Sequence, residues 1–155
     1  MSKIFISYRR QDTLAIAGRI YDRLSGKFGA ERVFMDIDSI PFGVDFQGWL
    51  DGEVSKASIV LALIGAGWID ARDEMGRRRL DNPDDFVRIE IEAALRRDIP
   101  LIPVLIGGAP MPKAGELPET LRPLARRHAA FVDMARDFHM HMDRLINGLE
   151  WHLNG

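Results

Sequence analysis

A chain of 155 residues is the size of one domain with a full core, which argues against two independent domains. Its 21 Lys and Arg against 23 Asp and Glu leave a formal charge of −2, without the basic excess of a protein whose main partner is nucleic acid. A 46% hydrophobic content is too high for a disordered chain, and the lack of Cys removes disulfides, thiolate nucleophiles, iron–sulfur clusters and Cys-based zinc sites.

The opening Met1-Ser2-Lys3 leads into a short apolar run without a signal-peptide pattern, and no segment approaches the roughly 20 apolar residues that span a bilayer. A cytoplasmic protein with no membrane partner is expected. Ile4-Phe5-Ile6-Ser7 reads as a first strand. Residues 14–28 follow as a helix, with Ala17, Ile20, Tyr21, Leu24 and Phe28 on one face and Gly29 as its stop. Val33-Phe34-Met35-Asp36 reads as a second strand and residues 38–43, with Pro41 and Gly43, as a loop. Phe46, Trp49, Leu50 and Val54 mark a second helical face, weakened at Gly48 and Gly52.

Residues 58–64 are continuously apolar, the mark of a central strand covered on both faces. A polar stretch over 65–85 leads to a third helix over 85–97. Pro100 and Pro103 demote the run 100–106 toward an edge or irregular geometry. A short run over 129–132 and a helix over 137–153 close the chain. Strands alternating with helices predict an α/β fold, a parallel sheet with right-handed crossovers and helices on both faces. Ligands of such folds bind outside the carboxyl ends of the strands, here at residues 7–13, 36–45, 65–85 and 107–118.

Familiar motifs are mostly missing. Gly65-Ala66-Gly67 follows a strand, but Asp70 stands where a dinucleotide fingerprint needs its third Gly, and no phosphate-binding GxxxxGK[ST] sequence exists. His139 and His141 are two apart on a helix, whereas metal pairs take i, i+4 spacing, so no metal is expected. No Ser sits in a GxSxG turn. A receiver domain would need an acidic pair after the first strand and an Asp ending the third; Ser7-Tyr8-Arg9-Arg10 and Ile64-Gly65 stand there instead.

Four charged features remain. Glu92 lies four residues from both Arg88 and Arg96, the spacing of a solvated salt ladder. Glu90 instead has Phe86 and Ala94 at those distances, so an aromatic stands beside a carboxylate near the expected strand-end rim. It reads either as a binding-site acid or as a Glu favoured at the positive end of a helix. Arg9 and Arg10, at the first strand exit, read either as a pyrophosphate clamp or as a charged loop. Arg77-Arg78-Arg79 reads as a solvated face.

Together these residues resemble a known family. Ile4-Phe5-Ile6-Ser7-Tyr8-Arg9-Arg10 resembles the opening motif of TIR (Toll/interleukin receptor) domains. Residues 33–36 followed by Asp38-Ser39-Ile40-Pro41-Phe42-Gly43 look like their second strand and the loop after it, the BB loop. Asp85-Phe86-Val87-Arg88-Ile89-Glu90-Ile91 resembles the aromatic-V-R-x-E segment of enzymatic members, with Phe86 where Trp often stands. The resemblance covers essentially the whole chain and implies one TIR domain over 1–155, of the kind usually attached to a sensor in a larger protein. It also implies a flavodoxin-like three-layer sandwich around a five-stranded parallel sheet.

What the resemblance implies about activity is an NAD+ glycohydrolase or ADP-ribosyl cyclase of the bacterial type, used in anti-phage signalling, with NAD+ as substrate and no cofactor. Glu90 would be the catalytic carboxylate. Tyr8, Arg9, Arg10, Asp36, Phe42, Trp68 and Phe86 would contact substrate. Phe5 and Phe46 could stack on its rings, although a core role suits both better. Ile40, Pro41, Phe42 and Gly43 of the BB loop would join a neighbouring copy, so that activity depends on a homo-oligomer or filament and on a sensor domain. The alternative is a TIR–TIR scaffold without turnover. A nucleoside-transferring enzyme fits less well, since it lacks a BB-loop pattern.

Overall fold

A computed structural model describes residues 2–35 and 41–154. In chain order the elements are β1 (Ile4–Ser7), α1 (Arg10–Phe28), β2 (Val33–Phe34), α2 (Phe46–Ser55), β3 (Ile59–Ile64), α3 (Phe86–Arg96), β4 (Leu101–Ile106), β5 (Ala130–Val132) and α4 (Phe138–Asn154). Short 3-10 turns lie between them, the longest at Glu119–Arg126. All strands are parallel, in the order β2-β1-β3-β4-β5. This is the expected flavodoxin-like α/β sandwich.

Strand side chains alternate between faces, and that alternation builds two cores. Ile4 and Ile6 of β1, with Ile59, Leu61 and Leu63 of β3, pack under α1 and α4. Phe5, Val60, Ala62 and Ile64 face the other way and pack under α2 and α3. Every residue of β3 is buried, as a continuously apolar strand requires. Phe5 is thus a core residue.

Three boundaries depart from the expectations. First, α1 begins at Arg10 rather than Leu14, because Asp12 and Thr13 donate their backbone N–H groups to the Arg9 carbonyl; the chain then kinks at Thr13 before running on. Second, β2 ends at Phe34, and Asp36 lies outside the described residues. Third, β4 sits inside the sheet between β3 and β5, not at an edge. The Val60 N–H donates to the Pro100 carbonyl, and the Gly107 N–H to the Val132 carbonyl. Even-numbered residues of β4 therefore bond toward β3 and odd-numbered ones toward β5. Pro103 faces the β5 side, and β5 pairs only from Val104 onward. The missing N–H of Pro103 falls where no ladder partner stands, which is how an interior strand tolerates it.

Arg88 pairs with Glu92 at 3.1 Å as the spacing foretold, but Arg96 leaves that ladder and pairs with Asp51 of α2. Among the described residues, no helix is long and apolar enough to cross a membrane.

Candidate functional site

A cleft of about 580 Å³ opens beyond the carboxyl ends of the strands. Its walls come from the exit of β1 (Tyr8, Arg10), from Met35 after β2, and from α3 (Phe86, Glu90). In the order β2-β1-β3-β4-β5 the chain leaves β1 in one direction for β2 and in the other for β3. Crevices at such a switch point are where open α/β sheets place ligands. A second cavity of equal volume lies against β5 and α4, but it is lined by His128, His141, Arg144 and aromatic residues without a carboxylate. A third, of about 630 Å³ between α1 and α4, does bear Asp22, Asp143 and Glu150, so it is the place at the switch point that makes the first cleft the candidate.

Glu90 is placed by the helix that carries it. Asp85 caps α3, its carboxylate accepting the Arg88 N–H at 3.1 Å. Val87, Ile91 and Ala94 anchor the helix in the second core, and that phase turns Glu90 toward the end of β1. The residue is 8% exposed, and its carboxylate accepts a hydrogen bond from the Ser7 hydroxyl, Oγ to Oε1, at 2.8 Å. Phe86, one turn earlier, stands half-exposed at the cleft and packs against Phe46, with ring centroids 5.3 Å apart. The aromatic expected beside the carboxylate is present, and Phe46 supports it rather than lining the cleft.

The two guanidiniums at the β1 exit divide. Arg10 is exposed at the cleft. Arg9 is 4% exposed and spent on Asp85, with Nη1 and Nη2 donating to the two carboxylate oxygens at 2.8 and 2.9 Å. This corrects the expected twin clamp: Arg9 braces the cleft wall through Asp85, and Arg10 is the solvent-exposed guanidinium of the two. Arg79 also lines the cleft, its Nε donating to Gln11 Oε1 at 2.9 Å. Of its neighbours in the basic run, Arg78 turns away to Asp81, while Arg77 pairs with Asp73 at the cleft's rim. At the rim, the Arg77 backbone N–H holds the Asp73 carboxyl below the usual carboxylate range, helped by the Met75 N–H, so an anion stays there.

Trp68 is a second correction. It is fully buried in the second core, where a turn closed by its backbone N–H donating to the Gly65 carbonyl folds the indole back under the sheet. It cannot stack on a ligand from there. Phe42 is fully exposed and does not line the cleft; Pro41 and Gly43 beside it are exposed too. Asp36 and Ile40 lie outside the described residues.

The Gly65-Ala66-Gly67 exit cradles a carboxylate of its own chain. Asp12 accepts the Gly65 N–H at 2.8 Å and the Gly67 N–H at 2.9 Å. A Cβ on Gly65 would stand 2.5 Å from an Asp12 oxygen and 2.8 Å from Thr13 Cγ2. Gly65→Ala is expected to lower stability by about 1–3 kcal/mol, the usual cost of forcing atoms into a packed site. Urea unfolding checks this, and an unchanged midpoint would show that Asp12 is not seated there.

Sequence reasoning missed Ser7, Asp85, Gln11 and Arg79 as parts of the site. Only Asp85 carried a readable signal, an Asp directly before the apolar period of a helix. Among the described residues no cluster of three His, Asp or Glu side chains could hold a metal ion.

Comparison with known proteins agrees with this architecture. No curated protein matches the chain. Among solved structures it is similar to the TIR domains of the activated Roq1 resistosome, which directly recognises the pathogen effector XopQ. The TM-score is 0.67 at 12% identity, over 96% of this chain and 99% of that one. At that identity the likeness is one of fold. The family model described as TIR domain matches residues 4–146, and the chain belongs to the TIR domain family.

Proposed function

We propose that this TIR domain cleaves NAD+ between nicotinamide and ribose. The observation that carries the reading is Glu90: a nearly buried carboxylate, held by the Ser7 hydroxyl, at a cleft flanked by Phe86 and Arg10. The leaving group of NAD+ is already cationic, so no acid is needed to expel it. The transition state is oxocarbenium-like, as in glycoside hydrolysis. Glu90 stabilises the developing charge and accepts hydrogen bonds from the ribose hydroxyls. Arg10 meets the pyrophosphate, Tyr8 and Phe86 flank the rings, and water or the adenine of the same molecule captures the ribosyl cation. The product is then linear or cyclic ADP-ribose, a signal suited to anti-phage defence, and NAD+ is substrate rather than cofactor.

The test is incubation of concentrated, clustered protein with NAD+, following nicotinamide by chromatography beside Glu90→Ala. Release by the wild type and none by the variant is expected. Intact NAD+ with both would overturn the reading.

Phe42 favours assembly as the condition for that activity, because with Pro41 and Val44 it forms an exposed apolar stretch on the loop before α2 rather than a lone exposed side chain. The similar Roq1 TIR domains act within a resistosome, and copies of this chain would likewise join through Pro41, Phe42 and Gly43, triggered by a sensor domain. Phe42→Ala should lower activity per molecule most at low protein concentration; a loss independent of concentration would make Phe42 a substrate contact. If the chain assembles yet never turns over, the scaffold reading holds instead.

A further inference from the structure

Two polar contacts cross the seam between the end of β1 and α3. Ser7 reaches Glu90, and Arg9, two residues further along, forks Asp85 at the start of the same helix. Side chains two apart on an extended chain share one side, so the β1 exit grips α3 at its cap and again at Glu90. Around them the seam is apolar, with Phe5, Val87 and Ile91 in one core. Stability alone gives no reason for polar groups there, since a buried polar or ionic pair returns about what its desolvation costs. What such a pair does supply is a fixed geometry.

We propose that Ser7 is a positioning residue for Glu90: its hydroxyl holds Oε1 so that the carboxylate meets the ribose already oriented. The assignment rests on the NAD+ reading. Ser7 is 1% exposed and does not line the cleft, so it does not touch substrate and acts only through Glu90. Its effect belongs to the transition state, where Glu90 faces growing positive charge. The groups assigned to bind NAD+ at a distance from the reacting carbon, Arg10 above all, are untouched by its removal.

Ser7→Ala and Ser7→Thr separate this from a packing role. In clustered protein assayed well below each variant's melting temperature, Ser7→Ala should lower kcat about tenfold, the worth of one hydrogen bond to a charged group, while KM for NAD+ stays within about twofold. Ser7→Thr keeps the hydroxyl but crowds a full site. It should recover most of kcat even though it melts earlier than the wild type. A fall in kcat of less than about threefold for Ser7→Ala overturns the proposal, as does a Thr variant as slow as the Ala one. An active wild type beside an unaffected Ser7→Ala removes Ser7 alone. A wild type that leaves NAD+ whole removes the NAD+ reading and this assignment with it.

Discussion

Asp85→Ala should cost about 3–5 kcal/mol of folding stability, the usual penalty for leaving one partner of a buried ion pair uncompensated. Asp85 and Arg9 have side chains 6% and 5% exposed and are joined by two hydrogen bonds, so the stranded guanidinium has little water to turn to. The same substitution removes the cap of α3, since one Asp85 oxygen also accepts the Arg88 N–H. Arg9→Ala strands a carboxylate instead but keeps the cap, and should cost less. Arg9→Met combined with Asp85→Ser removes both charges and keeps a capping oxygen, and should recover most of the loss. Urea unfolding of the four proteins decides the matter. A cost below about 1 kcal/mol for Asp85→Ala would show that the pair is not formed in the native state.

The contrast between Arg9 and Arg10 shows where the sequence stops being legible. They are adjacent, identical and at a strand exit, so nothing local separates them. What separates them is Asp85, 76 positions along the chain, together with the strand alternation that points Arg9 toward it. Trp68, which the resemblance implies as a substrate contact, is lost for a related reason: it stands just past the end of β3, but the turn closed by its backbone N–H on the Gly65 carbonyl returns the indole to the core. Pro103 was misread because a missing N–H matters only on the side where a partner strand runs, and strand order is not written in one strand. Periodic features fared better. The unbroken apolar run of β3 expresses burial directly and marks the central strand, and the i±4 neighbours of Glu90 and Glu92 already set the two apart, as the phase of α3 with Val87, Ile91 and Ala94 in the core bears out.

That phase makes Glu90→Gln the most informative change in the cleft. Gln has the shape of Glu, and its amide oxygen can accept the Ser7 hydroxyl as Oε1 does at 2.8 Å. The helix, its cap at Asp85 and the Phe86–Phe46 packing are unaffected, so melting should stay near the wild-type value. What disappears is the negative charge. In a cleft that is nearly closed to water at Glu90, a carboxylate facing an oxocarbenium-like centre acts through a low local dielectric, where one preorganised group is worth roughly 10²–10³ in kcat. Nicotinamide release should fall by at least that factor, with KM for NAD+ moving much less, because the variant still offers Arg10 and the aromatic wall to the bound molecule. A Glu90→Gln protein that turns over NAD+ within tenfold of the wild type would mean that charge at this position is not what stabilises the cation. Glu90→Ala, which also empties the site, could not make that distinction.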